Sequence, residues 1–295
     1  MAKLLVTGAS GFLGSYVCLQ AQAEGWQVWG TYNQQRQPRS HLLRLPLNLA
    51  SSDAIETLFR AVQPDAVIHT AAQSKPNFCQ LHPTETYPVN VDASVQLAQL
   101  CAEAQIPYVF TSTDLVFDGE AAPYRESDLP SPLSHYGRQK AIAEDKILAA
   151  YPQATVCRLP LLYGRAVTTA GCFLQNFINK LRQAEPLSLF TDEFRTPVSV
   201  NCAAKGLLLA LQTQGILHLG GLERLSRYEF GQLLVAAMNL PEIGLRASLR
   251  SQVNLPAPRP YDVSLESSRA LALGYCPQPV QRSLQALLSD NTPGL

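Results

Sequence analysis

Tyr136 and Lys140 stand four residues apart in Ser134-His135-Tyr136-Gly137-Arg138-Gln139-Lys140, and Thr113 lies upstream of both. Positions i and i+4 share one face of a helix, so the phenol and the ammonium are neighbours. A free tyrosine titrates near roughly pKa 10. An adjacent positive charge favours the phenolate and makes the phenol a better acid toward a carbonyl oxygen. A hydroxyl such as Thr113, at the end of a strand, can donate to that same oxygen. A placed general acid is worth about 10²–10⁴-fold in rate. The chemistry these three residues suit is protonation of a carbonyl oxygen as the carbon is reduced.

A second pattern supplies a place for the reductant. Thr7-Gly8-Ala9-Ser10-Gly11-Phe12-Leu13-Gly14 follows a short apolar run and opens a helical pattern. The spacing is G-x-x-G-x-x-G where the dinucleotide fingerprint is usually G-x-G-x-x-G. The physical logic is unchanged: a tight turn, close backbone approach to phosphate, and helix N-terminal amides facing the anion. Gly8, Ser10, Gly11, Phe12, Leu13 and Gly14 are therefore assigned to a nicotinamide dinucleotide. After the second strand the chain reads Gly30-Thr31-Tyr32-Asn33-Gln34-Gln35-Arg36-Gln37-Pro38-Arg39, without a carboxylate for the ribose hydroxyls and with two arginines. An arginine pairs with a 2′-phosphate through two bonds. Asn33 and Arg36 join the cofactor set, and NADPH is expected over NADH.

Strands alternating with helices must hold these groups. Strands are expected at 3–7, 27–32, 42–47, 65–69, 108–112 and 155–159. Helices are expected at 12–24, 52–62, 83–104 and 133–150, the last carrying Tyr136 and Lys140. Short apolar strands separated by helices predict an α/β fold, a Rossmann-type doubly wound parallel sheet. Beyond Gly164 the rhythm weakens: helices are expected at 173–183, 227–239 and 280–288, with a strand and helix at 198–212 returning to the sheet. The division expected is a dinucleotide-binding domain over 1–164 and a smaller, interleaved substrate lobe over 165–295.

Composition excludes several classes. Twenty-three basic and 23 acidic residues give zero formal charge, so nucleic acid is not an expected partner. The cysteines at 18, 79, 101, 157, 172, 202 and 276 form no pair with metal-ligand spacing, and the five histidines do not cluster. Free thiols and no metal are expected. No apolar run approaches the roughly 20 residues of a membrane span, and no signal peptide precedes the first strand, so a cytoplasmic protein without a membrane partner is expected. A homodimer is left open.

The chain resembles the extended short-chain dehydrogenase/reductase family, and most of all the dTDP-4-dehydrorhamnose reductases. The likeness rests on Thr7–Gly14, His69-Thr70-Ala71-Ala72, Val89-Asn90-Val91-Asp92, Ser112-Thr113-Asp114-Leu115-Val116-Phe117-Asp118-Gly119, Ser131-Pro132-Leu133 with Tyr136-Gly137 and Lys140, and Arg158 with Tyr163-Gly164. It runs on into Asp192-Glu193-Phe194-Arg195-Thr196-Pro197 and Arg259-Pro260. The resemblance implies Thr113 as the polarising hydroxyl, Tyr136 as the acid, and Lys140 as its partner and ribose ligand. It implies that Ala71, Ala72, Asn90 and Thr111 line the cofactor groove, with Asn48 and Leu49 near the adenine.

There are departures: Leu115 and Asn48 replace a tyrosine and an acidic residue. Gln73-Ser74-Lys75-Pro76-Asn77 and Tyr228 to Pro241 resemble instead the regulatory beta subunit of methionine adenosyltransferase. Three functions follow. The first is NADPH-dependent reduction of a 4-keto group on a nucleotide-activated deoxysugar, with one or more of Arg165, Arg195 and Arg259 on the diphosphate. The second is another extended reductase, an epimerase or dehydratase, on a related sugar, with Leu115 beside Asp114 counting against a dehydratase. The third is a non-catalytic NADP-binding regulatory subunit.

Overall fold

The computed structural model describes residues 1–33, 43–166, 171–241 and 244–289. Seven parallel strands form the central sheet: β1 (Lys3–Thr7), β2 (Gln27–Tyr32), β3 (Leu43–Pro46), β4 (Ala66–His69), β5 (Tyr108–Thr113), β6 (Thr155–Leu159) and, last in the chain, β7 (Gly215–His218). Their order is β7-β6-β5-β4-β1-β2-β3. The winding reverses between β1 and β4, and open α/β sheets bind ligands outside the carboxyl ends of the strands at such a point.

Helices cover both faces. On one, α1 (Phe12–Ala23) packs through Val17 and Cys18 with Leu4 and Val6 of β1. On the other, α2 (Ser52–Val62) turns Ile55, Phe59 and Val62 inward, an i, i+4, i+7 stripe that suits one helix face. Ser51 caps this helix by accepting from the Ala54 amide at 3.3 Å. The expected helix over 83–104 forms with a fault in it. After the short helix α3 (Pro76–Leu81) come α4 (Pro83–Tyr87), a π-turn over Pro88–Asp92, and α5 (Ala93–Ala104). Pro88 cannot donate an amide hydrogen, and a wide turn inserted there rotates Asn90 into the interior. Helix α6 (His135–Ala150) completes this face.

The return to the sheet differs in detail from expectation. Val198–Ser199 pairs with Leu162–Tyr163 in a small separate ladder. Helix α7 (Phe173–Arg182) precedes α8 (Val200–Leu209), which does return and packs with α1. The strand that joins the sheet is β7, just beyond the predicted segment. A second cluster holds the remaining elements: Ile178 of α7, Leu187 and Leu189 of the strand Leu187–Phe190, Phe230 and Leu234 of α9 (Arg227–Ala237), and Leu284 of the last helix (Val280–Ser289). Short two-residue ladders, such as Phe194–Arg195 with Leu225–Ser226, had no signal in the sequence because each is paired only through tertiary contact.

Among the described residues no helix is long and apolar enough to cross a membrane, and no group of three or more His, Cys, Asp or Glu could hold a metal ion. The seven cysteines are free, and all but Cys276 are buried.

Candidate active site

The glycine turn lies between β1 and α1, at the carboxyl edge of the sheet. Gly8 has φ of +72°, and a Cβ there would stand 2.8 Å from the Ala71 Cα. A Cβ on Gly14 would lie 2.2 Å from the Gly8 carbonyl oxygen and 2.6 Å from Thr70 Oγ1. Only glycine lets the first turn of α1 settle onto the loop. Gly11 is the N-cap and gives no side-chain cap, so the first amides of α1 keep their donors for a ligand. The turn is fixed to neighbouring strands: the Ala9 amide donates to Thr31 O at 2.9 Å, and Thr70 Oγ1 donates to Thr7 O at 2.7 Å.

A cavity of about 1120 Å³ opens over this edge. Gly8, Ser10, Gly11, Phe12, Leu13, Gly14, Asn33, Leu49, Ala71, Ala72, Thr111, Thr113, Tyr136 and Lys140 all line it, as do Arg195 and Arg259. The remaining expectations fall elsewhere. Asn90 is fully buried behind the wall, where it accepts from the Gln73 amide at 2.8 Å and donates to Gln73 O at 3.1 Å and Gln139 Oε1 at 2.8 Å. It ties down the loop after Ala72 and is not among the residues that line the cavity. Asn48 is exposed, off the wall, and accepts from the Ala50 amide at 3.0 Å. Arg165 is also off the wall; its carbonyl accepts the Tyr16 hydroxyl at 2.8 Å. Arg36 lies outside the described residues.

A glycine seats the helix of Tyr136 on the turn that follows Thr113. A Cβ on Gly137 would sit 2.1 Å from the Leu115 carbonyl oxygen, so α6 rests directly on the short turn Asp114–Val116 that follows β5. Ser134 caps α6 by accepting from the Gly137 amide at 3.1 Å. One helical turn on, Lys140 is 1% exposed, with Nζ 3.8 Å from the centre of the Phe110 ring. Burial pulls its pKa down to about 7, against the opposing charges of Glu144 and Cys79. A buried amine with three donors that opens on the cavity suits the hydroxyls of a bound ligand. Behind it, fully buried His69 bridges Thr7 Oγ1 at 2.6 Å and Ser94 Oγ at 3.0 Å. Burial, then Lys140, lowers its pKa to about 3, which makes it a neutral structural residue.

Two expectations need correcting. Burial, followed by Cys79 and Asp114, pushes the Tyr136 phenol up, with Arg195 pulling the other way. Lys140 is not among the groups that shift it. The Thr113 hydroxyl is also already engaged: it donates to Asp114 Oδ1 at 3.1 Å and accepts from the Leu115 amide at 3.2 Å.

The other half of the cavity is cationic. Arg195 Nη1 donates to both oxygens of buried Asp114, at 2.7 and 2.9 Å. Glu193, 1% exposed, takes Arg227 Nε at 3.1 Å, Arg195 Nε at 3.5 Å and Arg259 Nη1 at 3.6 Å. Burial raises the Glu193 carboxyl, but Arg227, Arg195 and Arg259 outweigh it and hold the pKa at about 2. Burial pushes Asp114 up, with Arg195 opposing. Three guanidiniums thus face two carboxylates, and the buried Arg259 Nε has no hydrogen-bond partner. Surplus positive charge with an unspent donor is what a polyanion requires. Arg227, at the start of α9, lines the cavity but was missed from the sequence. Its pairing with Glu193 spans 34 residues, and no local pattern marks it.

Comparison with known proteins agrees with this geometry. Methionine adenosyltransferase 2 subunit beta from Bos taurus is 31% identical over 280 residues, covering 92% of this chain and 82% of the relative. The "Probable low-salt glycan biosynthesis reductase Agl14" of Haloferax volcanii is 30% identical over 294 residues, covering 97% and 98%. A solved dTDP-4-dehydrorhamnose reductase from Clostridium acetobutylicum superposes with a TM-score of 0.84 at 25% identity, covering 97% and 98%. The family model described as RmlD substrate binding domain matches residues 2–292, and the chain belongs to that family.

Proposed function

We propose that this protein is a reductase that transfers hydride from a nicotinamide dinucleotide to a keto carbon of a nucleotide-activated deoxysugar, the 4-keto group in the leading reading. The observation that carries it is one cavity joining the glycine turn, Tyr136 with Lys140, and the arginine cluster. The turn suits the dinucleotide: a Cβ would fill the cradle at Gly8 and Gly14, and the open amides of α1 suit a pyrophosphate. When bound, the dinucleotide supplies hydride. Tyr136 Oη delivers the proton to the carbonyl oxygen, Lys140 Nζ holds ribose hydroxyls and gains charge by doing so, and Thr113 positions the oxygen. Arg195, Arg227 and Arg259 hold the diphosphate of the substrate.

NADPH preference is the finer part of this reading. It rests on the absence of a carboxylate in residues 30–39 and on Arg36 and Arg39. Loss of a charge-assisted pair costs about 1.5–3 kcal/mol. Calorimetry on Arg36→Ala should show NADPH weakened by roughly ten- to a hundredfold and NADH barely changed. Equal binding of both cofactors before and after the substitution ends the preference argument. The free thiols fit a reducing cytoplasm.

The decisive test is loss of NADPH absorbance with a panel of nucleotide 4-keto sugars, and no turnover with any of them overturns the reading. The likeness to methionine adenosyltransferase 2 subunit beta favours a second reading, a dinucleotide-binding partner subunit without turnover. Tight cofactor binding with no turnover in the panel selects it.

A further inference from the structure

The turn Asp114–Val116 is where three parts of the site meet. Thr113 caps it, accepting from the Leu115 amide. The Leu115 carbonyl is the floor on which α6 rests at Gly137, one residue beyond Tyr136. Asp114 is fully buried, takes the Thr113 hydroxyl on Oδ1, and receives Arg195 on both oxygens from 81 residues away. Arg195 lines the cavity beside Arg227 and Arg259, with its Nε 3.5 Å from Glu193 Oε1. Any shift of Arg195 toward an anion therefore pulls on the turn that seats both hydroxyls.

We propose that Asp114 is a positioning residue that couples the arginine cluster to Thr113 and Tyr136, so that the substrate's diphosphate aligns the carbonyl as well as holding the molecule. This rests on the reductase reading above. Binding energy from a remote, unreacting part of a substrate raises turnover when it is used to fix the geometry of the reacting atoms. A misplacement of about 1 Å there costs on the order of a hundredfold. Asp114 itself transfers no proton to the substrate. It fixes where the Thr113 oxygen and the first turn of α6 stand relative to the arginines.

The experiment compares a nucleotide 4-keto sugar with the same keto sugar lacking the nucleotide, in wild type, Asp114→Asn and Arg195→Lys, with and without inorganic pyrophosphate. In wild type, pyrophosphate should accelerate reduction of the free keto sugar. In Asp114→Asn, kcat on the nucleotide sugar should fall by about 10- to 100-fold. The kcat ratio of nucleotide to free sugar should drop at least about tenfold, the pyrophosphate effect should vanish, and the NADPH dissociation constant should stay within about threefold. Arg195→Lys keeps a cation beside Asp114 without the guanidinium's further donors. It should show the same selective loss, and it carries the comparison if Asp114→Asn does not fold. Equal losses on both substrates, or no pyrophosphate effect in wild type, overturn the coupling and leave carbonyl reduction standing. If wild type reduces neither sugar, the reductase reading falls and this inference falls with it.

Discussion

The two halves of the cavity are built by different means. The glycine-turn half is backbone: contiguous residues from Thr7 to Gly14, two positions where a Cβ would strike backbone, and helix amides left uncapped. The arginine half is side chain: Arg195, Arg227 and Arg259, from three segments, gathered on one buried carboxylate, Glu193. Backbone sites tolerate many side chains but few changes in shape. Charge clusters tolerate changes in shape but depend on every partner, because an uncompensated buried charge is costly. Tyr136 and Lys140 lie on the helix between the two halves, and substitutions can separate their contributions.

The largest effect is expected at the junction. Tyr136→Phe should lower turnover by at least about a hundredfold, the loss of one general acid, with NADPH affinity nearly intact. Stopped-flow hydride transfer beside cofactor titration checks this, and unchanged turnover removes Tyr136 from the role of acid.

Next come substitutions specific to each half. Arg227→Ala should raise KM for the nucleotide sugar by roughly ten- to a hundredfold, the equivalent of a charge-assisted contact, and leave NADPH binding alone. Gly14→Ala should do the reverse. Forcing a methyl against the Gly8 carbonyl costs about 1–3 kcal/mol, so NADPH should weaken by about tenfold while nucleoside diphosphate binding holds. Calorimetry with each ligand on each variant gives a two-by-two comparison. Both ligands weakened by both substitutions means that the halves are not separable.

A smaller effect separates the two halves by pH. In the free protein Lys140 titrates at about 7, so at about pH 8 it is mostly neutral. Holding ribose hydroxyls beside phosphate favours the charged form. NADPH binding at that pH should therefore take up as much as about one proton, and in Lys140→Met it should take up none. Calorimetry in buffers of differing ionisation enthalpy reads this directly.

The smallest is acid stability. The folded pKa of Glu193, about 2, lies below its ordinary value of 4.5. Its contribution is therefore present above the unfolded value and is lost as pH falls from about 4.5 toward about 2. Thermal melts of Glu193→Gln should fall less steeply than wild type across that window, and parallel curves would count against the clustered carboxylate.

Much of this was legible locally. The alternation of short apolar strands with helices gave the parallel sheet, and β2 and β6 fall at their expected residues. The glycine turn and the Tyr136–Lys140 spacing were legible because both are fixed within one turn of chain. Asn90, which the resemblance put in the cofactor groove, is buried within the π-turn over Pro88–Asp92 and bonded to Gln73 and Gln139. Asn48 and Arg165 carry suitable chemistry near the right elements, but neither is among the residues that line the cavity.

The sequence by itself determined the sheet, the glycine turn and the Tyr136–Lys140 pair. Each depends on period, on the absence of a side chain, or on i, i+4 geometry. Only the tertiary structure decided which arginines line the cavity, that Arg227 is among them, and that Thr113 gives its hydrogen to Asp114. Those facts follow from charges that meet across 34 to 81 residues of chain, where folding, not spacing, sets the distance.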